Sequence, residues 1–105
     1  MIIPKGMEEL SALTKSAGKH VFFFTADWCP DCVFIKPKMP EIETENPEFE
    51  FVEVDRDKYI NLAQEWRILG IPSFVIVEDG KKVAELVNKL RKTKEEVNKF
   101  LAENK

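Results

Sequence analysis

A continuous apolar run, Val21-Phe22-Phe23-Phe24-Thr25, leads within a few residues into Asp27-Trp28-Cys29-Pro30-Asp31-Cys32, which holds the only two cysteines of the chain. Aromatic and β-branched residues without polar alternation suit a strand buried on both faces. Such a strand requires a layer of structure on each side of it. Pro30 suits a first helical position, where its missing N–H is no loss. From Pro30 to about Glu45 the pattern is helical, with Cys32, Ile35, Met39 and Ile42 on one stripe. Pro37 and Pro40 fall inside that stretch and predict a kink. The cysteine pair therefore lies where a buried strand turns into a helix.

The remaining segments complete an interleaved pattern. Met7, Leu10, Leu13 and Ala17 predict a first helix that Gly18 can end. Phe49 to Asp55 alternates as a strand, with Phe49, Phe51 and one of Val52 or Val54 facing inward. Tyr59, Leu62, Ala63 and Trp66 predict a short amphipathic helix. Ser73–Val77, the Asp79-Gly80 turn and Val83–Val87 predict a hairpin. Thr93-Lys94-Glu95-Glu96 has the form of a capping box, which opens a last helix carrying Val97, Phe100 and Leu101. Strands interleaved with helices imply an α/β fold, a central sheet flanked by helices on both faces. The closing hairpin makes that sheet mixed. The length, 105 residues, suits one domain spanning 1–105.

Composition narrows the chemistry. A structural zinc needs a full tetrahedral set of nitrogen or sulfur ligands, usually supplied by two such pairs. Here there is one pair and one histidine, His20, and iron–sulfur clusters fail on the same count. The pair is then a redox couple, a structural disulfide, inert thiols, or a two-thiolate carrier of copper or zinc shared between chains. A formal net charge of -3 gives no general attraction for nucleic acid or anionic membrane. No basic segment followed by an apolar stretch of about 7–15 residues opens the chain, so no signal peptide is expected. That predicts a cytoplasmic protein, where persistent structural disulfides are rare, and moves the weight to redox cycling. Cys29, at the helix start, is the expected nucleophile, because backbone N–H groups and the helix dipole favour its thiolate. The Asp31 carboxylate opposes this, so Cys29 is expected to be a moderate nucleophile, nearer a reductant than a strong oxidant.

The run Thr25 to Cys32 resembles the active-site segment of the thioredoxin family, with Pro30-Asp31 in place of the usual Gly-Pro. Pro37 is similar to the family's helix-kinking proline, Gly70-Ile71-Pro72-Ser73 to its cis-proline loop, and Asp79-Gly80 to its hairpin. The similarity covers about Val21 to Leu101, and the segment before Val21 is short for the family's first strand and helix. The resemblance implies a thioredoxin-like fold and a disulfide reductase. Cys29 would attack a substrate disulfide, and Cys32 would resolve the mixed disulfide. Trp28, Pro30, Ile71 and Pro72 would line the substrate surface, with Trp28 shielding the thiols or else serving as a half-buried core aromatic. The resemblance further implies no bound cofactor and no metal. An NADPH-dependent thioredoxin reductase, a flavoprotein, would recharge the pair. Substrates would be disulfide-containing proteins or small molecules, met by a monomer that binds neither nucleic acid nor membrane.

This chain departs from the family at several positions. A buried Asp six residues before the first cysteine, and its Lys partner on the next strand, are matched by Phe23 and Phe51. The usual proton acceptor for the resolving thiol is thus replaced, and Asp31, Asp27 or water must take its role. Asp31, adjacent to Cys32, is the first choice. A glycine common on the substrate surface is Asn88 here. Among other candidates, Lys89, Arg91, Lys92 and Lys94 read as a solvated loop and helix start rather than a docking patch for a reductase. His20 reads as a satisfied or exposed histidine, Trp66 as core, and Asp55 and Asp57 as turn caps rather than a metal corner. A fold-only interaction module is the competing class of function.

Overall fold

The computed structural model describes residues 1–105, and its elements follow the expected order. They are α1 (Met7–Lys15), β1 (Lys19–Thr25), α2 (Pro30–Ile35), α3 (Met39–Glu45), β2 (Glu50–Asp55), α4 (Ile60–Glu65), β3 (Ser73–Glu78), β4 (Lys81–Leu86) and α5 (Lys94–Glu103). A 3₁₀ turn, Lys36–Lys38, joins α2 to α3 and contains Pro37, while Pro40 sits at the start of α3. The kink therefore falls where the two prolines remove backbone donors.

The four strands form one mixed sheet in the order β2-β1-β3-β4. β1 runs parallel to β2 and antiparallel to β3, and β3 pairs antiparallel with β4. Because side chains alternate across a strand, β1 sends Phe22 and Phe24 to one face and Val21 and Phe23 to the other. On the first face they meet Leu10 of α1 and Leu62 and Ala63 of α4. On the second they meet Ile35, Met39 and Ile42 below the kink, and Val97 and Leu101 of α5. Phe23 is fully buried and stacks on Phe74 with ring centroids 5.1 Å apart. Phe51 lies in the same cluster, so the two phenylalanines share one apolar layer.

Several boundaries and environments differ from expectation. α1 stops at Lys15, capped by the Ser16 N–H on the Leu13 carbonyl, and Ala17 and Gly18 lie outside it. Gly18 adopts φ 93 in the connection, a conformation that favours glycine. β4 begins at Lys81, two residues earlier than the apolar pattern implied, because an edge strand needs no alternation on its outer side. Val52 and Val54 both turn to the first face while Phe51 turns to the second, since β2 is covered on both sides. Ile2 adds a parallel bridge to the outer edge of β2, exchanging backbone hydrogen bonds of 2.8 Å with Phe51 and Glu53. His20 is buried within β1. Its Nε2 faces Ser16 Oγ at 3.3 Å and Glu50 at 3.6 Å, and its Nδ1 has no partner. No helix is long and apolar enough to cross a membrane.

Candidate active site

The junction between β1 and α2 places Cys29 at the N-cap of α2 and Cys32 one turn in, with Pro30 leading the helix. The Cys32 backbone N–H donates to Cys29 Sγ at 3.2 Å. Both cysteines are free thiols and both are buried, Cys29 at 5% exposure and Cys32 at 1%. The Cys29 thiol faces the Ile71 carbonyl at 3.8 Å. Ile71-Pro72 is the chain's cis peptide bond, and Ser73 Oγ donates back to the Gly70 carbonyl to close that loop. Burial pushes the Cys32 thiol up to about 11, and its hydrogen bond with Cys29 adds to this. The Thr25 side chain and the Ala26 backbone act in the opposite sense. Cys32 is therefore held as a neutral thiol until it is called on to react.

Trp28 is 62% exposed, so the core alternative is excluded. Its indole N–H donates to Asp57 at 2.6 Å, and the Arg56 guanidinium lies 5.4 Å from the ring centre. The indole bond, with Arg56 assisting, holds the Asp57 carboxyl below the usual carboxylate range. Asp55 caps the same turn by accepting from the N–H groups of Asp57 and Lys58. Asp55 thus caps the turn, as read from the sequence, while Asp57 braces Trp28. Leu69, Leu90 and Val33 are also widely exposed. Trp66, by contrast, packs edge-on against Phe22 and Phe24 as core.

The loop between β4 and α5 departs most from the sequence reading. Of the four basic residues of this loop and the helix start after it, three have built partners. Arg91 donates to Asp31 at 2.8 Å and covers the Phe34 ring at 4.4 Å. Lys94 bridges Glu41 and Glu45 at 2.7 and 2.9 Å. Lys92 is buried, with its ammonium on Asn88 and Leu90. The solvated reading holds for Lys89 and Arg91, which are exposed, and Lys94 opens α5; it fails at Lys92, because a lysine is polar only at its tip and sequence does not show where the tip goes. Gly70 lies so close to this loop that a Cβ there would meet the Asn88 carbonyl oxygen at 2.5 Å. The Asn88 backbone therefore packs on the loop that holds the cis Ile71-Pro72 bond.

A cleft of about 360 Å³ reaches Cys32, lined by Thr25, Asp27, Val33, Lys36 and Pro37 among others. Lys36 pairs with Glu53 at 3.5 Å. A larger hollow of about 420 Å³, beside Met1, Glu43 and Phe51, contains neither cysteine. Asp31 is turned toward Arg91. Thr25, which the sequence reading passed over as the end of a strand, lines the same cleft as Cys32 and acts to lower its thiol value. No group of three or more His, Cys, Asp or Glu side chains converges anywhere on the molecule. As arranged, the pair can form an intramolecular disulfide, with Cys29 facing the Ile71 carbonyl and Cys32 one turn into α2.

Residues 7–103 match the family model Thioredoxin. The chain is 36% identical over 83 residues to the "TPR repeat-containing thioredoxin TDX" of Arabidopsis thaliana, covering 75% of this chain and 22% of that protein. It is 41% identical over 64 residues to "Thioredoxin H-type" of Picea mariana, covering 61% of this chain and 51% of that one. It thus spans about half or less of the length of these relatives. The crystal structure of Fasciola hepatica thioredoxin superposes with a TM-score of 0.84 at 27% identity, with all of both chains covered.

Proposed function

This chain belongs to the thioredoxin family, and from that premise we propose that it is a thiol–disulfide oxidoreductase. It reduces protein or small-molecule disulfides through a Cys29/Cys32 dithiol–disulfide cycle. The observation that carries the reading is the unequal pair. Cys29 caps α2 against the Ile71 carbonyl, while Cys32 sits behind it, buried and protonated.

In the forward step the Cys29 thiolate attacks one sulfur of the substrate disulfide. A Cys29–substrate bond forms, and the first substrate sulfur leaves as a thiolate. Cys32 then loses its proton and attacks Cys29 Sγ, which closes the Cys29–Cys32 disulfide and expels the second substrate thiolate. Two electrons pass to the substrate. Trp28, Pro30, Ile71 and Pro72 line the approach, and an extended substrate segment pairs with the Ile71 backbone as an added strand. Asp31 was the first choice to receive the Cys32 proton, but its carboxylate is engaged by Arg91. The cleft offers Thr25 beside the thiol and Asp27 at its wall, so Asp27 is the acceptor assigned here. No cofactor is bound in this cycle. An NADPH-dependent thioredoxin reductase restores the dithiol, and the protein works as a monomer of one domain in the cytoplasm.

A coupled assay tests the reading: NADPH, a thioredoxin reductase and insulin or cystine, with wild type beside Cys29→Ser and Cys32→Ser. NADPH oxidation should require both cysteines, and Cys32→Ser should accumulate a mixed disulfide. Turnover that survives Cys29→Ser would overturn it.

A further inference from the structure

Arg91, in the β4–α5 loop, is held more firmly than an ordinary surface arginine. Its Nε donates to Asp31 Oδ1 at 2.8 Å, and the centre of its guanidinium lies 4.4 Å from the middle of the Phe34 ring. The hydrogen bond uses one of the five N–H donors that a guanidinium carries. The side chain is nonetheless 52% exposed, and its two terminal nitrogens make no hydrogen bond within the chain. Both anchors belong to the helix of the cysteine pair. Asp31 stands between Cys29 and Cys32, and Phe34 follows Cys32 by one helical position and one more. Arg91 is thus fixed on the same short helix as the thiols, although it comes from a distant loop.

The charge around Phe34 is uneven. Lys38 also covers the Phe34 ring, at 4.5 Å, and makes no ion pair. Lys89, earlier in the Arg91 loop, is exposed and makes none either. The α3 carboxylates Glu41 and Glu45 are taken by Lys94, and Glu53 by Lys36. At the ring itself, one carboxylate, Asp31, meets two cations. A guanidinium oriented by stacking, with its terminal N–H groups free, matches the planar fork of a carboxylate and loses little freedom on binding one. An uncovered Asp31 would repel the same group.

We propose that Arg91 is a specificity residue of the redox site: its free guanidinium edge receives a carboxylate carried close to the substrate disulfide, so that the chain favours anionic small disulfides. The inference rests on the redox reading above and names the substrate class for it. The chemistry is that of the same cycle. The Cys29–Cys32 dithiol gives up two electrons and two protons, the substrate S–S bond breaks, the protein disulfide forms, and two substrate thiols leave. Arg91 transfers no electron or proton; it holds the substrate carboxylate while Cys29 attacks.

Three small disulfides of similar size separate charge from reactivity: dithiodipropionate, a dianion; hydroxyethyl disulfide, neutral; and cystamine, a dication. The reduced full chain is mixed with each at neutral pH and low salt, and the remaining protein thiols are counted by alkylation. The rate on the dianion divided by that on the neutral disulfide should fall about fivefold in Arg91→Gln, the scale of one partly exposed charged contact. The corresponding ratio for cystamine should rise, because Asp31 is uncovered. In an Asp31→Asn background, where the asparagine keeps an acceptor for Nε, Arg91→Gln should still lower the dianion ratio. Rates that fall equally for all three disulfides in Arg91→Gln would overturn the proposal and leave Arg91 a brace for its loop. So would an effect that vanishes in the Asp31→Asn background, since Arg91 would then only mask Asp31. Wild-type protein that is oxidised by none of the three disulfides would instead remove the redox reading, and this one with it.

Discussion

Arg91 and Asp31, sixty positions apart in the chain, are joined by a 2.8 Å hydrogen-bonded ion pair that fastens the β4–α5 loop to the helix of the cysteine pair. The Arg91 guanidinium also covers the Phe34 ring, so the contact is partly a stacking one. Both charged groups remain open to solvent. Arg91→Ala should therefore lower stability by no more than about 1 kcal/mol. A larger effect is expected on loop order, seen as faster amide hydrogen exchange over residues 88–92.

The proton of the resolving thiol gives a sharper prediction. With Asp31 engaged by Arg91 and Asp27 on the cleft that reaches Cys32, Asp27→Asn should slow release of substrate from the mixed disulfide by about tenfold or more, the scale of a lost proton acceptor. Asp31→Asn should leave that rate within a factor of about two. Stopped-flow kinetics on a fluorescent disulfide would measure both. The reverse ranking would return the role to Asp31.

The raised Cys32 thiol carries a stability consequence with a definite sign. Its folded value of about 11 lies above the 9.0 of an unperturbed thiol. The protonated form is thus favoured in the fold, and its full contribution is present below about pH 9. As pH rises toward 11, the unfolded chain ionises first, and stability is lost, on the order of 2–3 kcal/mol for a shift of this size. The disulfide form has no such proton to lose. Urea denaturation of the reduced and oxidised proteins at pH 8 and pH 10.5 should show the reduced form losing more stability between the two.

Phe23 is fully buried and stacked on Phe74. Phe23→Ala should cost about 3–5 kcal/mol, the usual range for a large aromatic truncated in a core. Phe23→Asp should cost still more, because Phe51 offers no cation to pair with it. Chemical denaturation of the two variants would test the ranking.

Gly70 should not tolerate a side chain. An alanine Cβ would press on the Asn88 carbonyl, which is backbone and cannot swing aside. Gly70→Ala should destabilise the fold by about 1–3 kcal/mol, the typical cost of overpacking, and displace the loop that carries Lys92. The melting temperature should fall accordingly.

Much of the site was legible before the fold was known, for local reasons. Cys29, Pro30 and Cys32 lie within one helical turn, so the strand before them and the proline among them set their geometry. The Thr93–Glu96 capping box and the buried stripe Cys32, Ile35, Met39 and Ile42 were likewise short-range patterns. Lys92 and His20 were the misread environments, because burial depends on how segments pack. Lys92 is enclosed with its ammonium on Asn88 and Leu90, and His20 is buried beside Glu50.

The sequence alone determined the chemistry available, namely two thiols at a strand-to-helix junction with no further cysteine to divert them. It also determined the α/β layering, through the period of its apolar residues. Only the tertiary structure decided how the two thiols differ and which charges surround them. Burial depth and ion pairing arise when segments remote in the chain are packed together. Thus Cys32 is almost wholly buried, Asp31 is bound by Arg91, and Lys92 is enclosed without a carboxylate of its own.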